Sequence, residues 1–204
     1  MNQVQQNEIA IKKTRIIGYD VARSLAVVGM VIVNYKVVMG ASENGPAWLV
    51  WLAGLFDGRA AATFVILAGV GISMLSRKGR ITQDQHRIIQ DRNTLIKRAI
   101  FLFVIGLLYT PLWPADILHF YGVYIAIAAL LLTASDRQLW LGAIGLSLVF
   151  LFLIFIFDYE KGWDFSTLTY VDFWTFAGML RHLFFNGFHP VIPWLGFILI
   201  GMWL

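Results

Sequence analysis

Long apolar runs separated by short polar breaks organise the chain. The first spans Ile16–Met39. A turn-rich loop with Gly40, Ser42, Asn44, Gly45 and Pro46 follows, then a short apolar run, Trp48–Phe56, and the punctuation Asp57-Gly58-Arg59. Further runs occupy Ala60–Ser76, Leu95–Trp113, Asp116–Thr133 and Leu139–Phe157. A stretch of about 20 mostly apolar residues is what a helix needs to cross the hydrocarbon core. The pattern therefore predicts an all-α, polytopic transmembrane bundle with five full spans. Trp48–Phe56 is too short for a span and reads as an interfacial or re-entrant segment. Pro193–Leu204 begins a sixth and then stops. At about 1.5 Å per residue it reaches roughly 18 Å of a core roughly 30 Å thick, so the chain is expected to be the N-terminal part of a longer membrane protein. Residues 1–15 form a polar cytoplasmic tail, and 16–204 are read as one membrane domain.

Composition agrees with lipid as the solvent. Of the 204 residues 59% are hydrophobic and 14% charged, and mean hydropathy is +0.71. Soluble domains run at about 45–50% apolar and about 25% charged. With no cysteine, disulfides, thiolate metal sites and cysteine nucleophiles are excluded. The net charge of +4 is no nucleic-acid footprint, because the basic residues sit in short loops between apolar runs. Placing the N-terminus inside puts Lys12, Lys13, Arg15, the seven basic residues of Arg77–Arg98 and Arg137 on the cytoplasmic side. Lys36, Arg59, Lys161 and Arg181 fall outside. Eleven against four sets the orientation by the positive-inside rule.

Polar residues within the runs are the candidates for chemistry. Asp20, Arg23 and Asn34 share a wedge of roughly 60° at 100° per residue, and intramembrane ionisable groups face the bundle interior and mark sites by default. Alternatively Asp20 and Arg23 simply satisfy each other at i,i+3. Asp57 and Arg59 flank the outer mouth of the second span, where Asp57 either caps the helix or places a carboxylate at a pocket entrance. Asp116 and His119, at i,i+3, open the fourth span. The carboxylate either caps that helix or fixes the imidazole tautomer for general-base work. The outer segment Asp158–Pro190 is rich in aromatics and reads as an interfacial belt or a sugar-stacking lid. His182 is expected to face the interface, and no metal site is expected.

Several motifs recur in a known order: Tyr19-Asp20-Val21-Ala22-Arg23-Ser24-Leu25-Ala26, Val33-Asn34-Tyr35, Phe56-Asp57-Gly58-Arg59-Ala60-Ala61-Ala62-Thr63-Phe64 and Ala68-Gly69-Val70-Gly71-Ile72-Ser73. They resemble the catalytic-domain family of heparan-alpha-glucosaminide N-acetyltransferase. Asp116-Ile117-Leu118-His119-Phe120-Tyr121-Gly122 and Pro193-Trp194-Leu195-Gly196 also resemble YeiB-like bacterial membrane proteins. The resemblance implies transfer of an acetyl or other acyl group from cytoplasmic acyl-CoA, as co-substrate, to a sugar or polyol at the outer face of a cell membrane, the inner membrane in a bacterium. Asp20, Arg23, Asn34 and Asp57 carry over as positions. The family's histidine in the loop after the first span falls near Trp48, and Gly40–Phe56 has no histidine. The base is therefore sought at His119 with Asp116, and next at His189. Asp20, Arg23, Asn34, Asp57 and Arg59 are left as substrate-binding candidates. The rival reading is a transporter or envelope protein on the same scaffold. Expected partners are the bilayer and the acceptor, not nucleic acid.

Overall fold

The structure, a computed structural model, describes residues 16–41 and 45–204. The predicted N-terminal tail and the loop positions Ser42, Glu43 and Asn44 lie outside the described residues. The chain forms two compact units, 1–64 and 65–204, with the boundary inside one helix.

In the first unit, α1 (Ile17–Val38) is about 33 Å long at 1.5 Å per residue, enough to cross a bilayer. Only Ala26 and Gly29 on it are buried. Gly29 is the contact point, since a Cβ there would lie 2.6 Å from Phe56 Cδ1 and 2.9 Å from Ala60 Cβ. The short α2 (Ala47–Gly54) leads through Asp57 into α3 (Arg59–Thr82). The run expected to be interfacial thus continues into the second span, and Ala47–Thr82 together are long and apolar enough to cross a membrane.

The second unit holds the rest. The stretch Arg77–Arg98, expected as a loop, is almost entirely helical. α3 runs to Thr82 and α4 (Gln85–Tyr109) starts three residues later, with Asp84 accepting from Arg87 N–H at 3.1 Å. Arg, Lys and Gln are good helix formers, so a charged segment need not be a loop; the turn comes at Gln83, in left-handed backbone (φ +53°). α5 (Leu118–Leu130) returns against α4. α6 (Asp136–Ile156) opens on a capping box between Ser135 and Gln138. A minimal hairpin, β1 (Trp163–Asp164) with antiparallel β2 (Thr169–Tyr170), precedes α7 (Phe176–Arg181), a π-helical turn His182–Asn186 and α8 (Val191–Trp203).

Three helical stretches among the described residues pass as spans by length and composition: Ile17–Val38, Ala47–Thr82 and Asp136–Ile156. Phe176–Asn186 and Val191–Trp203, bent by 48° at their break, can supply a fourth. The fold is all-helical apart from the hairpin, but it does not establish the five full spans expected. Arg92, Lys97 and Arg98 lie within the first 14 of the 25 residues of α4. The 13 residues of α5 reach only about 20 Å. The expected partial sixth span is instead joined backwards, through the π-turn, to Phe176–Asn186. The sequence pattern broke there because His182, Asn186 and His189 look like loop residues, and the fold buries the first two almost completely.

Close helix approach depends on bare backbone, as in membrane bundles generally. A Cβ on Gly69 of α3 would come within 2.9 Å of Gly201 Cα and Met202 N on α8. Outward faces are apolar. α6 exposes Leu148, Leu151, Phe152 and Phe155, the last at 88%, an area of oil that water would not tolerate but lipid does.

Candidate functional site

The site lies where α5 begins. A single Asp116 oxygen, Oδ2, accepts from the backbone N–H of Leu118 at 3.0 Å and of His119 at 3.3 Å, and sits 3.1 Å from His119 Nδ1. Asp116 lies one residue before the N-cap, Ile117, and its carboxylate contacts both the first turn of α5 and the imidazole. With an ionised carboxylate as acceptor, Nδ1 carries the proton. Asp116 is 4% exposed and His119 1%. Space for the pair comes from Gly106 on α4, where a Cβ would lie 2.8 Å from both Asp116 Oδ2 and His119 Cα.

Behind this pair stands an aromatic cluster that sequence reasoning undervalued. His182 does not face the interface. It is 2% exposed, stacks on His119 with ring centroids 5.7 Å apart, and meets Tyr170 and Phe173 edge-on at 4.7 and 5.0 Å. His189 packs against Trp194 at 4.7 Å, and Tyr124 Oη donates to its carbonyl at 2.5 Å. Phe120 touches both rings, at 5.2 Å from His182 and 6.2 Å from His189. Each of the three histidines keeps one buried ring nitrogen without a hydrogen-bond partner: Nε2 of His119, Nδ1 of His182 and Nδ1 of His189. Buried polar atoms are normally satisfied, and three such nitrogens in one cluster mark it as the candidate site. Among the described residues, no group of three or more His, Asp or Glu is placed to hold a metal ion.

A pocket of about 160 Å³ opens beside the cluster. Trp163, Tyr170, Phe173 and Trp174 form its aromatic wall, the end of α4 contributes Thr110, and His182 lines it while His119 and His189 do not. Asn186 holds that wall in place. Its Oδ1 accepts from Tyr170 Oη at 2.7 Å, and its Nδ2 donates to the carbonyls of Lys161 at 2.8 Å and Tyr159 at 2.9 Å. Trp163 Nε1 donates to the Asn186 carbonyl at 2.6 Å. Arg181 Nε donates to Tyr170 Oη, and its Nη2 to both Asp172 oxygens, all at 2.7 Å. Burial holds the Tyr170 phenol above its ordinary value, against the pull of Arg181, so it stays a donor to Asn186. At the hairpin turn, hydrogen bonds from Ser166 and then Thr167 keep the Asp164 carboxyl below the usual range. The sequence signal for this network was the density of aromatics around His182 and Asn186; nothing in the spacing paired them.

The other predicted residues belong to the first unit. Asp57 pairs with Lys36, a partner 21 positions away, rather than acting as a side-chain cap. Arg59 Nη1 donates to the Leu55 carbonyl at 3.1 Å. The expectation that Asp20, Arg23 and Asn34 face the interior is not met on this chain: Asp20 is half-buried and Arg23 and Asn34 are exposed. The covered face of α1 is the one carrying Ala26 and Gly29, roughly 120° round the helix from the polar stripe.

An all-helical chain with spans clad in apolar side chains and a buried carboxylate–imidazole pair beside an aromatic pocket is a membrane protein with a candidate site at that pocket. The family model described as "Heparan-alpha-glucosaminide N-acetyltransferase, catalytic" matches residues 15–204, and the chain belongs to that family. Comparison with curated proteins and with solved structures returned no significant match.

Proposed function

We propose that the protein is a multi-pass membrane acyltransferase that moves an acyl group, acetyl in the simplest case, from cytoplasmic acyl-CoA to a hydroxyl or amine of a sugar or polyol at the outer face. The observation that carries this reading is the aromatic-walled pocket backed by the buried Asp116–His119 pair. Aromatic faces bind the apolar faces of sugar rings, and an imidazole cluster held by a carboxylate at the pocket wall offers a means of removing a hydroxyl or amine proton. Family membership supports the acyl-transfer chemistry. The basic elbow between α3 and α4 supports a donor with phosphates on the cytoplasmic side. Asp20, Arg23, Asn34, Asp57 and Arg59, all in the first unit, are proposed to bind substrate, and His189 to support the cluster from the α8 side.

The test is reconstitution of the purified chain in liposomes, with acyl-CoA on one side and a panel of sugars and polyols on the other. Release of free CoA coupled to an acylated acceptor is expected. Uptake of an acceptor with no CoA release would instead identify a transporter.

A further inference from the structure

The three imidazoles around Phe120 are not equivalent. His119 is tied to Asp116 and is walled off from the pocket. His189 sits against Trp194 and Phe120, also away from it. His182 alone of the three lines the pocket. It is the first residue of the π-turn, and such turns are frequent at functional sites. Its carbonyl accepts from Gly187 N–H at 2.9 Å, and its ring is fixed between Tyr170, Phe173, Phe120 and His119.

We propose that His182 is the residue that takes the acceptor's proton, with Asp116 and His119 behind it as positioning residues; this rests on the acyl-transfer reading above. The geometry distinguishes it from His119, which an acceptor in the pocket does not meet. In the step, the acceptor's O–H or N–H proton passes to a ring nitrogen of His182. The freed lone pair bonds to the thioester carbonyl carbon of acyl-CoA, and the C–S bond breaks with its electrons on sulfur. The imidazolium proton then goes to the thiolate, so ester or amide and free thiol leave and His182 is neutral again. His119, its proton committed to Asp116, gives the His182 ring a stacking surface of fixed orientation. Asp116 acts one step further back, by holding the His119 ring on which His182 stacks.

Chemical rescue tests this on the full chain in liposomes. His182→Ala should lower kcat by about 10²–10⁴-fold, the usual worth of a general base, and added imidazole should restore at least part of it by entering the space left in the pocket wall. His119→Ala should also lose activity but gain nothing from imidazole, because its site is closed. His182→Gln, which keeps most of the side-chain volume, should insert as wild type and remain inactive; it serves if the alanine variant inserts poorly. Wild-type turnover by both His182 variants would overturn the proposal and leave acyl transfer standing. Rescue of His119→Ala but not His182→Ala would move the base to His119. A wild-type chain that turns over no acyl-CoA with any acceptor would overturn both the proposal and the reading beneath it.

Discussion

Asp116 does two jobs with one oxygen, and the two separate on substitution. Asn at this position keeps an oxygen that can accept from Leu118 and His119 N–H, so α5 still starts there, but it removes the charge that fixes the His119 tautomer. Asp116→Asn is expected to insert normally and to lose less acyl-transfer activity than His119→Ala, with kcat falling and KM little changed. Equal, complete losses accompanied by poor insertion would mean that the pair is structural. Gly106 is the hidden third member of this group. An alanine there would place its methyl 2.8 Å from Asp116 Oδ2 and His119 Cα, and one of the two helices must move. Overpacking of this kind costs about 1–3 kcal/mol. Thermal unfolding of Gly106→Ala in detergent should show a clear loss, whereas Gly145→Ala on α6, where a Cβ meets nothing within 4 Å, should be neutral. None of this coupling is visible in the sequence: Gly106 reads there only as a small residue in an apolar run, and only the return of α5 brings it under His119.

At the scale of elements, the outer segment is a braced wall rather than a loose belt. Asn186 ties the π-turn to the stretch around the hairpin through four hydrogen bonds, three of which use its side chain. Asn186→Leu would leave the Tyr170 hydroxyl and the carbonyls of Tyr159 and Lys161 without this partner. Each such loss costs about 1–3 kcal/mol where the group stays buried. Hydrogen exchange in residues 158–175 is expected to accelerate in this variant while α6 and α8 remain protected; unchanged exchange would show that the wall holds without Asn186. The sequence announced the aromatics of this segment but not its fold. Aromatic belts and packed aromatic walls have the same composition, and only the polar pairs, Tyr170–Asn186 buried and Arg181–Asp172 half-buried, distinguish them.

For the whole molecule, orientation is the quantity that the charge pattern addresses. Because the natural chain has no cysteine, single substitutions give clean reporters. With the N-terminus inside, an impermeant thiol reagent applied to intact cells should label Ser166→Cys, on the exposed outer turn, and leave Gln85→Cys, at the start of α4, unlabelled until the membrane is opened. Labelling of Gln85→Cys from outside would reverse the topology and move the aromatic pocket to the cytoplasmic side.

The sequence by itself determined the lipid-facing class of the protein, the positions of its strongest apolar helices and the proximity of Asp116 to His119. Each of these depends on composition or on spacing of three or four residues, which local helix geometry converts directly into position. It also carried the family resemblance, in ordered motifs from Tyr19 to Gly196. Only the tertiary structure decided which imidazole lines the pocket, that α4 and α5 are poorer spans than their apolar cores suggested, and that Val191–Trp203 follows Phe176–Asn186 across a break bent by 48°. His119 and His182 are 63 positions apart. Their stacking is set by how α5, α7 and the π-turn pack, and no local periodicity encodes a contact at that separation.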